Sequence, residues 1–192
     1  GALGTGPNVD AVADGLATQS PPLVVDPVAL SSQGTRLLDQ CGLTTLRKRL
    51  FPIISLLTPN LDEASLLTGF DVVDRSTMER AAIAIADQGP RCVLVKGGHR
   101  TDSATDILLA DGVLHEFPAD LIDTRHTHGT GCVLASASAA LQSSRLLDWC
   151  LSRQPYLPSA QVAGFSPLPS WLLQRWAYRL TRTSTSARVS LP

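Results

Sequence analysis

The sequence predicts an α/β fold in which helices cover a sheet of mostly parallel strands. Short apolar segments typical of buried strands alternate along the chain with segments of helical period, which is the order of elements in layered α/β proteins. Polar residues follow three of the apolar segments, where a parallel strand ends. The 192 residues, 44% of them hydrophobic and 17% charged, are sufficient for one globular core.

The first quarter of the chain predicts a helix, a strand and a second helical region. Apolar residues recur at i, i+3, i+4 and i+7 over 9–16, which indicates one buried helix face, and Pro21 and Pro22 end that helix. A short strand is expected over 23–25. Residues 37–50 predict helical structure that Gly42 interrupts, and the apolar run 53–57 predicts a buried strand.

Two capping boxes predict the next pair of helices. In such a box the first side chain caps backbone amides and a glutamate three residues later bonds back to the first residue. Asn60 with Glu63 and Ser76 with Glu79 have this spacing. Each pair is expected to open a helix that ends at a glycine.

The third quarter predicts a strand, a hairpin and a final helix. Residues 92–95 are apolar and predict a buried strand. The segments 107–109 and 113–117 flank Asp111 and Gly112, a dipeptide suited to the positive φ angles of a tight hairpin turn. Residues 132–141 are small and apolar, which predicts a helix packed closely on the sheet.

Charge and cysteine usage exclude several classes of protein. A net charge of −1 and a pI near 6.5 argue against nucleic acid as the main partner, because phosphate backbones attract basic surfaces. There is no apolar run of membrane-spanning length and no leader-like start, so we expect a cytoplasmic protein without a membrane partner. The four cysteines show no CxxC spacing, which argues against zinc and a disulfide framework.

A change in composition divides the chain near residue 142. Residues 1–142 hold 10 Lys and Arg against 16 Asp and Glu, with no Trp or Tyr. Residues 143–192 hold six Arg, one acidic residue and all the Trp and Tyr. We therefore expect one domain over 1–142 and a divergent tail over 143–192.

A glycine loop precedes the final helix and is suited to binding an anion. Small residues at a helix start leave backbone N–H groups and the positive end of the helix dipole free for a phosphate. Gly129, Thr130 and Gly131 meet that requirement. A tight turn required only for packing is the alternative for so short a motif.

Polar residues at other predicted strand ends favour a phosphate site. Asp26, the pair Asn60 and Glu63, and Lys96 each follow a predicted strand. The carboxyl ends of parallel strands meet in one crevice, so these groups are expected to share a site with the glycine loop. The arrangement predicts phosphoryl transfer.

Five segments give the chain a family resemblance. They are VVDPV (24–28), TPNLDEASLLTG (58–69), VLVKGGH (93–99), DILLADG (106–112) and THGTGC (127–132). Together they resemble the hydroxymethylpyrimidine kinase/phosphomethylpyrimidine kinase family of the ribokinase-like superfamily. The resemblance extends over residues 1–142 and implies a three-layer α/β/α sandwich with a mostly parallel central sheet. It also implies ATP-dependent phosphorylation of 4-amino-5-hydroxymethyl-2-methylpyrimidine and then of its monophosphate, for thiamine biosynthesis.

The resemblance assigns the glycine loop and the residue after it to catalysis. It implies that Gly129, Thr130 and Gly131 form an anion hole whose amides neutralise charge on the transferred phosphoryl group. Cys132 takes the position of the catalytic base, and its place at a helix start favours the thiolate. A small buried packing residue is the alternative for Cys132.

The resemblance also assigns the charged strand-end residues. Asn60 and Glu63 match an NxxE motif that orders Mg²⁺ largely through water, and helix capping remains open beside that role. Asp26 matches an aspartate near the magnesium and phosphates, although Asp before Pro is also a common turn residue. Lys96 matches a lysine that contacts nucleotide phosphates, with a solvated strand-end lysine as the alternative.

The chain departs from the family pattern at both ends. Family members begin with a βα unit carrying a GSDxSGGAG-like segment, which this sequence does not show, so we expect a sheet lacking that first unit. Residues 143–192 read as a shifted reading frame or as a divergent extension. A pyridoxal-type kinase and a truncated, catalytically silent nucleotide-binding module therefore remain alternatives to the pyrimidine kinase, and assembly as a homodimer is left open.

Overall fold

The strands of the protein form one five-stranded sheet in a computed structural model that describes residues 2–17, 22–31, 34–98, 105–118 and 130–141. The strands lie in chain order across the sheet. They are β1 Val24–Val25, β2 Leu56–Leu57, β3 Cys92–Val95, β4 Asp106–Ala110 and β5 Val113–Phe117. The predicted tail over 143–192 and Gly129 lie outside the described residues.

The sheet has a parallel half and an antiparallel half. Strand β1 pairs with β2 and β2 with β3 in parallel, whereas β3, β4 and β5 pair antiparallel. The three parallel strands end at the same edge, and a single bridge between Asn60 and Lys96 continues the β2–β3 pairing beyond that edge. The predicted parallel arrangement is therefore present in the half of the sheet that carries the candidate site residues.

The hairpin that joins β4 and β5 has the predicted turn. Asp111 and Gly112 both have positive φ, at 49° and 76°. Two consecutive residues in this region form the turn whose twist matches that of the flanking strands. The predicted hairpin is confirmed.

Helices pack on both faces of the sheet. They are α1 Gly6–Leu16, α2 Gln40–Thr45, α3 Leu61–Thr68, α4 Arg75–Ala86 and α5 Thr130–Leu141. Alternate residues of the strands face opposite sides: Leu57, Val93 and Val95 join one apolar cluster, and Leu56, Cys92 and Leu94 join another. Helices α1 to α4 contribute to the first cluster, and Leu134 of α5 to the second. This is the predicted three-layer arrangement.

The region between residues 37 and 57 differs from its prediction. Gly42 lies inside α2 and does not interrupt it. Its role is close packing, because a Cβ at this position would lie 2.6 Å from Leu38 Cδ1. A π-helical turn, Leu46–Leu50, and a 3-10 turn, Phe51–Ile53, follow. Pro52 lies in the first turn of the 3-10 helix, where a missing N–H leaves no hydrogen bond unmade. Because this helical turn includes Ile53, the strand predicted over 53–57 is reduced to β2.

Helix α4 begins with a different capping box from the one predicted. The Asp74 carboxylate accepts from the Thr77 amide at 2.8 Å, and Thr77 Oγ1 accepts from the Asp74 amide at 3.0 Å. Glu79, the predicted partner of Ser76, instead pairs with Arg75 at 3.0 Å. The two boxes are shifted by two residues, and the earlier one satisfies the amides at the true start of the helix.

The described helices are all too short or too polar to cross a membrane.

Candidate active site

Three candidate residues lie within three positions of the ends of the three parallel strands. Asp26 comes after β1, Asn60 after β2 and Lys96 after β3. The Lys96 amide donates to the Pro59 carbonyl at 2.8 Å, and the Thr58 amide donates to the Val25 carbonyl at 3.0 Å. These backbone bonds continue the parallel pairing beyond the ends of the strands and bring the three side chains to one edge of the sheet.

Lys96 and Asp26 form a buried ion pair at that edge. Lys96 Nζ lies 3.0 Å from Asp26 Oδ1, and the two side chains are only 6% and 10% exposed. The alternative of a solvated strand-end lysine is therefore wrong. A charge this deeply buried requires its partner, because removing one member leaves the other without compensation.

Gly131, in the first turn of α5, lies against the ion pair. A Cβ at this position would be 2.8 Å from Lys96 Nζ and 3.0 Å from Asp26 Oδ2. The first-turn amides of a helix have no partner within the helix. The structure thus places the first turn of α5, a buried cation and a carboxylate within a few ångströms of one another.

Asn60 and Glu63 form the predicted capping box at the start of α3. Asn60 Oδ1 accepts from the Glu63 amide at 2.8 Å, and Glu63 Oε2 accepts from the Asn60 amide at 2.9 Å. Glu63 Oε1 accepts a further bond from the Ala29 amide at 3.2 Å. Helix capping is confirmed for this pair.

Glu63 is a buried carboxyl, 2% exposed, in the field of the ion pair. Burial raises the pKa of Glu63 above its ordinary value; the Lys96 charge lowers it in part, and the Asp26 charge raises it further. Glu63 is therefore coupled electrostatically to both members of the pair.

Cys132 follows Gly131 and is an exposed residue. Thr130 begins α5, whereas Gly129 lies outside the described residues. The alternative that Cys132 is a buried packing residue is wrong. Cys92 does have that character: it is 1% exposed, and burial raises the pKa of its thiol.

Asp106 is a further buried carboxylate near this edge that was not among the predicted site residues. Its buried carboxylate accepts from the Gly97 amide at 2.6 Å, directly after Lys96. A Cβ at Gly97 would clash with the Thr105 carbonyl oxygen, so the two backbone segments approach each other closely there. Asp106 lies within the segment DILLADG, but an acid at the start of a strand gives no signal of its own.

Cation binding at this edge would involve few protein ligands. In the described part of the chain, no group of three or more His, Cys, Asp or Glu residues converges as a metal site. Asp26 and Glu63 are carboxylates of low exposure that both interact with Lys96. One or two carboxylates completed by water and phosphate is a donor set that Mg²⁺ accepts.

The family profile and two sequence relatives that match this chain carry the name phosphomethylpyrimidine kinase. A sequence profile of phosphomethylpyrimidine kinases matches residues 1–147. The chain is 46% identical over 167 residues to the hydroxymethylpyrimidine/phosphomethylpyrimidine kinase of Streptomyces coelicolor, covering 86% of this chain and 62% of that protein. It is 50% identical over 123 residues to the protein of the same name from Mycobacterium tuberculosis, covering 63% and 45%.

Solved structures with the same fold include two kinds of vitamin kinase. The pyridoxal kinase of Staphylococcus aureus in complex with AMP-PCP is 28% identical, with a TM-score of 0.67, over 75% of this chain and 54% of that one. The phosphomethylpyrimidine kinase of Clostridium difficile 630 is 25% identical, with a TM-score of 0.62, over 93% and 64%. The predicted ribokinase-like fold is confirmed.

The chain spans 45–62% of the length of these two sequence relatives. The family profile nevertheless covers most of its 192 residues and all five segments on which the resemblance was based. The chain belongs to the phosphomethylpyrimidine kinase family.

Proposed function

We propose that the protein is an ATP-dependent kinase that phosphorylates 4-amino-5-hydroxymethyl-2-methylpyrimidine and then its monophosphate, a reaction of thiamine biosynthesis. The observation that carries the proposal is the buried pair of Lys96 and Asp26 with the Gly131 turn against it. Catalysis of phosphoryl transfer consists mainly of positioning and charge neutralisation. A buried cation beside the first-turn amides of a helix provides both.

Lys96 is suited to binding phosphate oxygens of a nucleotide. Its ammonium has three N–H donors, and the 3.0 Å hydrogen bond to Asp26 uses one of them. The first-turn amides of α5 supply further donors and the positive end of the helix dipole. Gly131, with Gly129 and Thr130 before it, would then surround the transferred phosphoryl group as an anion hole.

The carboxylates at this edge fit a magnesium ion bound with the nucleotide. Mg²⁺ retains several waters and takes one or two protein carboxylates. Asp26 would contribute the nearer carboxylate, and Asn60 and Glu63 would act through water. A bound Mg²⁺ neutralises charge on the phosphate oxygens.

Cys132 is proposed as the catalytic base. It lies one residue after Gly131, at the helix end that faces the ion pair, and the residue is exposed. A thiolate at this place can take the proton of a substrate hydroxyl that approaches the phosphoryl group.

A pyridoxal-type kinase is the second candidate, because solved pyridoxal kinases share the fold at 28–29% identity. The test is a coupled assay of ADP release by the 192-residue chain with MgATP and either the hydroxymethylpyrimidine, its monophosphate or pyridoxal. We expect the two pyrimidines to give the higher kcat/KM. Faster turnover of pyridoxal would reverse the assignment. MgATP binding without turnover of any substrate would favour a catalytically silent module.

Replacing Cys132 with alanine is expected to lower kcat by roughly 10²–10⁴-fold, the usual contribution of a general base. KM for ATP should change little, because the thiol is not assigned to the nucleotide. Steady-state ADP release measures both constants. Cys41→Ala is the matched control, since Cys41 is an exposed cysteine remote from α5 in sequence, and it should leave kcat unchanged. Full turnover by Cys132→Ala would remove the base assignment alone.

A further inference from the structure

Glu63 makes one hydrogen bond that helix capping does not explain. The capping box accounts for the bond between Glu63 Oε2 and the Asn60 amide, three residues away. The bond from the Ala29 amide to Glu63 Oε1, at 3.2 Å, is buried and joins residues 34 positions apart. Ala29 belongs to the segment that leaves β1 and contains Asp26. The same carboxylate thus joins two separate parts of the site edge.

The segment that receives this bond has a strained backbone. Val28 has a φ of 41°, in the left-handed region that a side chain branched at Cβ rarely adopts. Such a conformation persists only where the surrounding structure imposes it. The peptide N–H that follows Val28 is the Ala29 donor to Glu63. The Ala29 carbonyl accepts from the Leu37 and Leu38 amides at 2.8 and 3.2 Å. Hydrogen bonds from other segments therefore fix Ala29, the residue that follows the strained Val28.

The position of Asp26 depends on this segment. Asp26 lies two residues before Val28 and makes its ion pair with Lys96 from there. A change of φ at Val28 would rotate the chain on one side of it relative to the other. The Glu63 bond on one side and the Asp26–Lys96 pair on the other therefore brace the same short turn.

We propose that Glu63 is a positioning residue whose carboxylate ties the Ala29 amide to the start of α3 and so keeps Asp26 against Lys96. This role is separate from any contact with metal and operates in the protein without ligand. Its consequence for turnover rests on the proposed function, whereas the tie itself does not.

The test is hydrogen–deuterium exchange of the full chain, followed by mass spectrometry without nucleotide or Mg²⁺. In Glu63→Gln one carboxylate oxygen becomes an NH₂ group that cannot accept. Glutamine is compatible with the capping box, so the Ala29 amide is the donor expected to lose its partner. We expect exchange of the peptide covering residues 24–31 to rise by about tenfold.

The matched control is Thr77→Val, which removes the half of the α4 capping box that the Thr77 hydroxyl supplies. Thr77 Oγ1 accepts from the Val73 and Asp74 amides at 3.0 Å. Exchange should rise at the start of α4 in this variant and stay unchanged over 24–31. If Glu63→Gln does not fold, Glu63→Asp provides the same readout, because its shorter side chain keeps the charge but cannot span both amides.

Two results would overturn the proposal. The first is exchange over 24–31 that stays within about twofold of wild type in a folded Glu63 variant. The second is a variant whose only defect is an altered Mg²⁺ dependence of ADP release. Because exchange is measured without substrate, failure of the tie and failure of the kinase assignment are distinguished.

Discussion

Replacing Lys96 with methionine is expected to abolish most turnover and to destabilise the protein. Methionine fills the space of the side chain but leaves the Asp26 carboxylate buried and unpaired. Removing one partner of such a pair costs roughly 3–5 kcal/mol of folding free energy. Loss of a preorganised charge at the phosphoryl group lowers kcat by about 10²–10³-fold. Urea unfolding and the ADP-release assay measure the two effects separately.

A control and a double variant separate charge from packing. The chain contains one other lysine, Lys48, which is exposed on the π-helical turn; Lys48→Met should leave stability and turnover unchanged. Combining Lys96→Met with Asp26→Asn removes the unpaired charge, so most of the stability should return while turnover stays low. Wild-type turnover in folded Lys96→Met would refute the assignment of Lys96 to phosphate.

Gly131→Ala is expected to lower kcat/KM for ATP by about 10²–10³-fold with little loss of stability. The added methyl group would lie 2.8 Å from Lys96 Nζ and 3.0 Å from Asp26 Oδ2, so the ammonium must move and the approach to the helix amides narrows. Alanine is itself the most favourable residue in a helix. Thermal unfolding by circular dichroism and ATP titration of turnover measure the two properties.

Gly15→Ala is the matched substitution away from the site. Gly15 lies in α1, and a Cβ there would meet no atom within 4 Å. The variant should gain roughly 0.5–1 kcal/mol of stability from lower chain entropy in the unfolded state and keep its turnover. Equal kinetic losses in both variants would show that added bulk at Gly131 has no special effect.

Local patterns in the sequence predicted most of the secondary structure correctly. The apolar run 92–95 is strand β3, Asp111 and Gly112 make the predicted turn, and Asn60 caps α3 as its spacing indicates. These features depend on neighbours in the sequence, which can be read from the chain itself. One local prediction failed: a box beginning at Ser76 was expected, whereas the structure forms a box of the same spacing at Asp74.

The candidate site was predictable as a set of residues but not as a geometry. The ends of parallel strands must share an edge, so Asp26, Asn60 and Lys96 could be assigned to one edge from their place after strands. That Lys96 is buried and paired, and that Glu63 reaches the Ala29 amide, could not be inferred. Both contacts join segments from different strands, and their distances depend on the register of the sheet.

The sequence by itself determined the order of elements, the family and the residues available at the strand ends. Only the tertiary structure decided that Asp26 and Lys96, 70 positions apart, compensate each other's charge beneath Gly131. It also decided that Val28 adopts a positive φ and that Asp106 holds the Gly97 amide. The physical reason is that helix and strand preferences arise from neighbouring residues, whereas a buried charge or a strained turn is stable only when distant segments supply its partner.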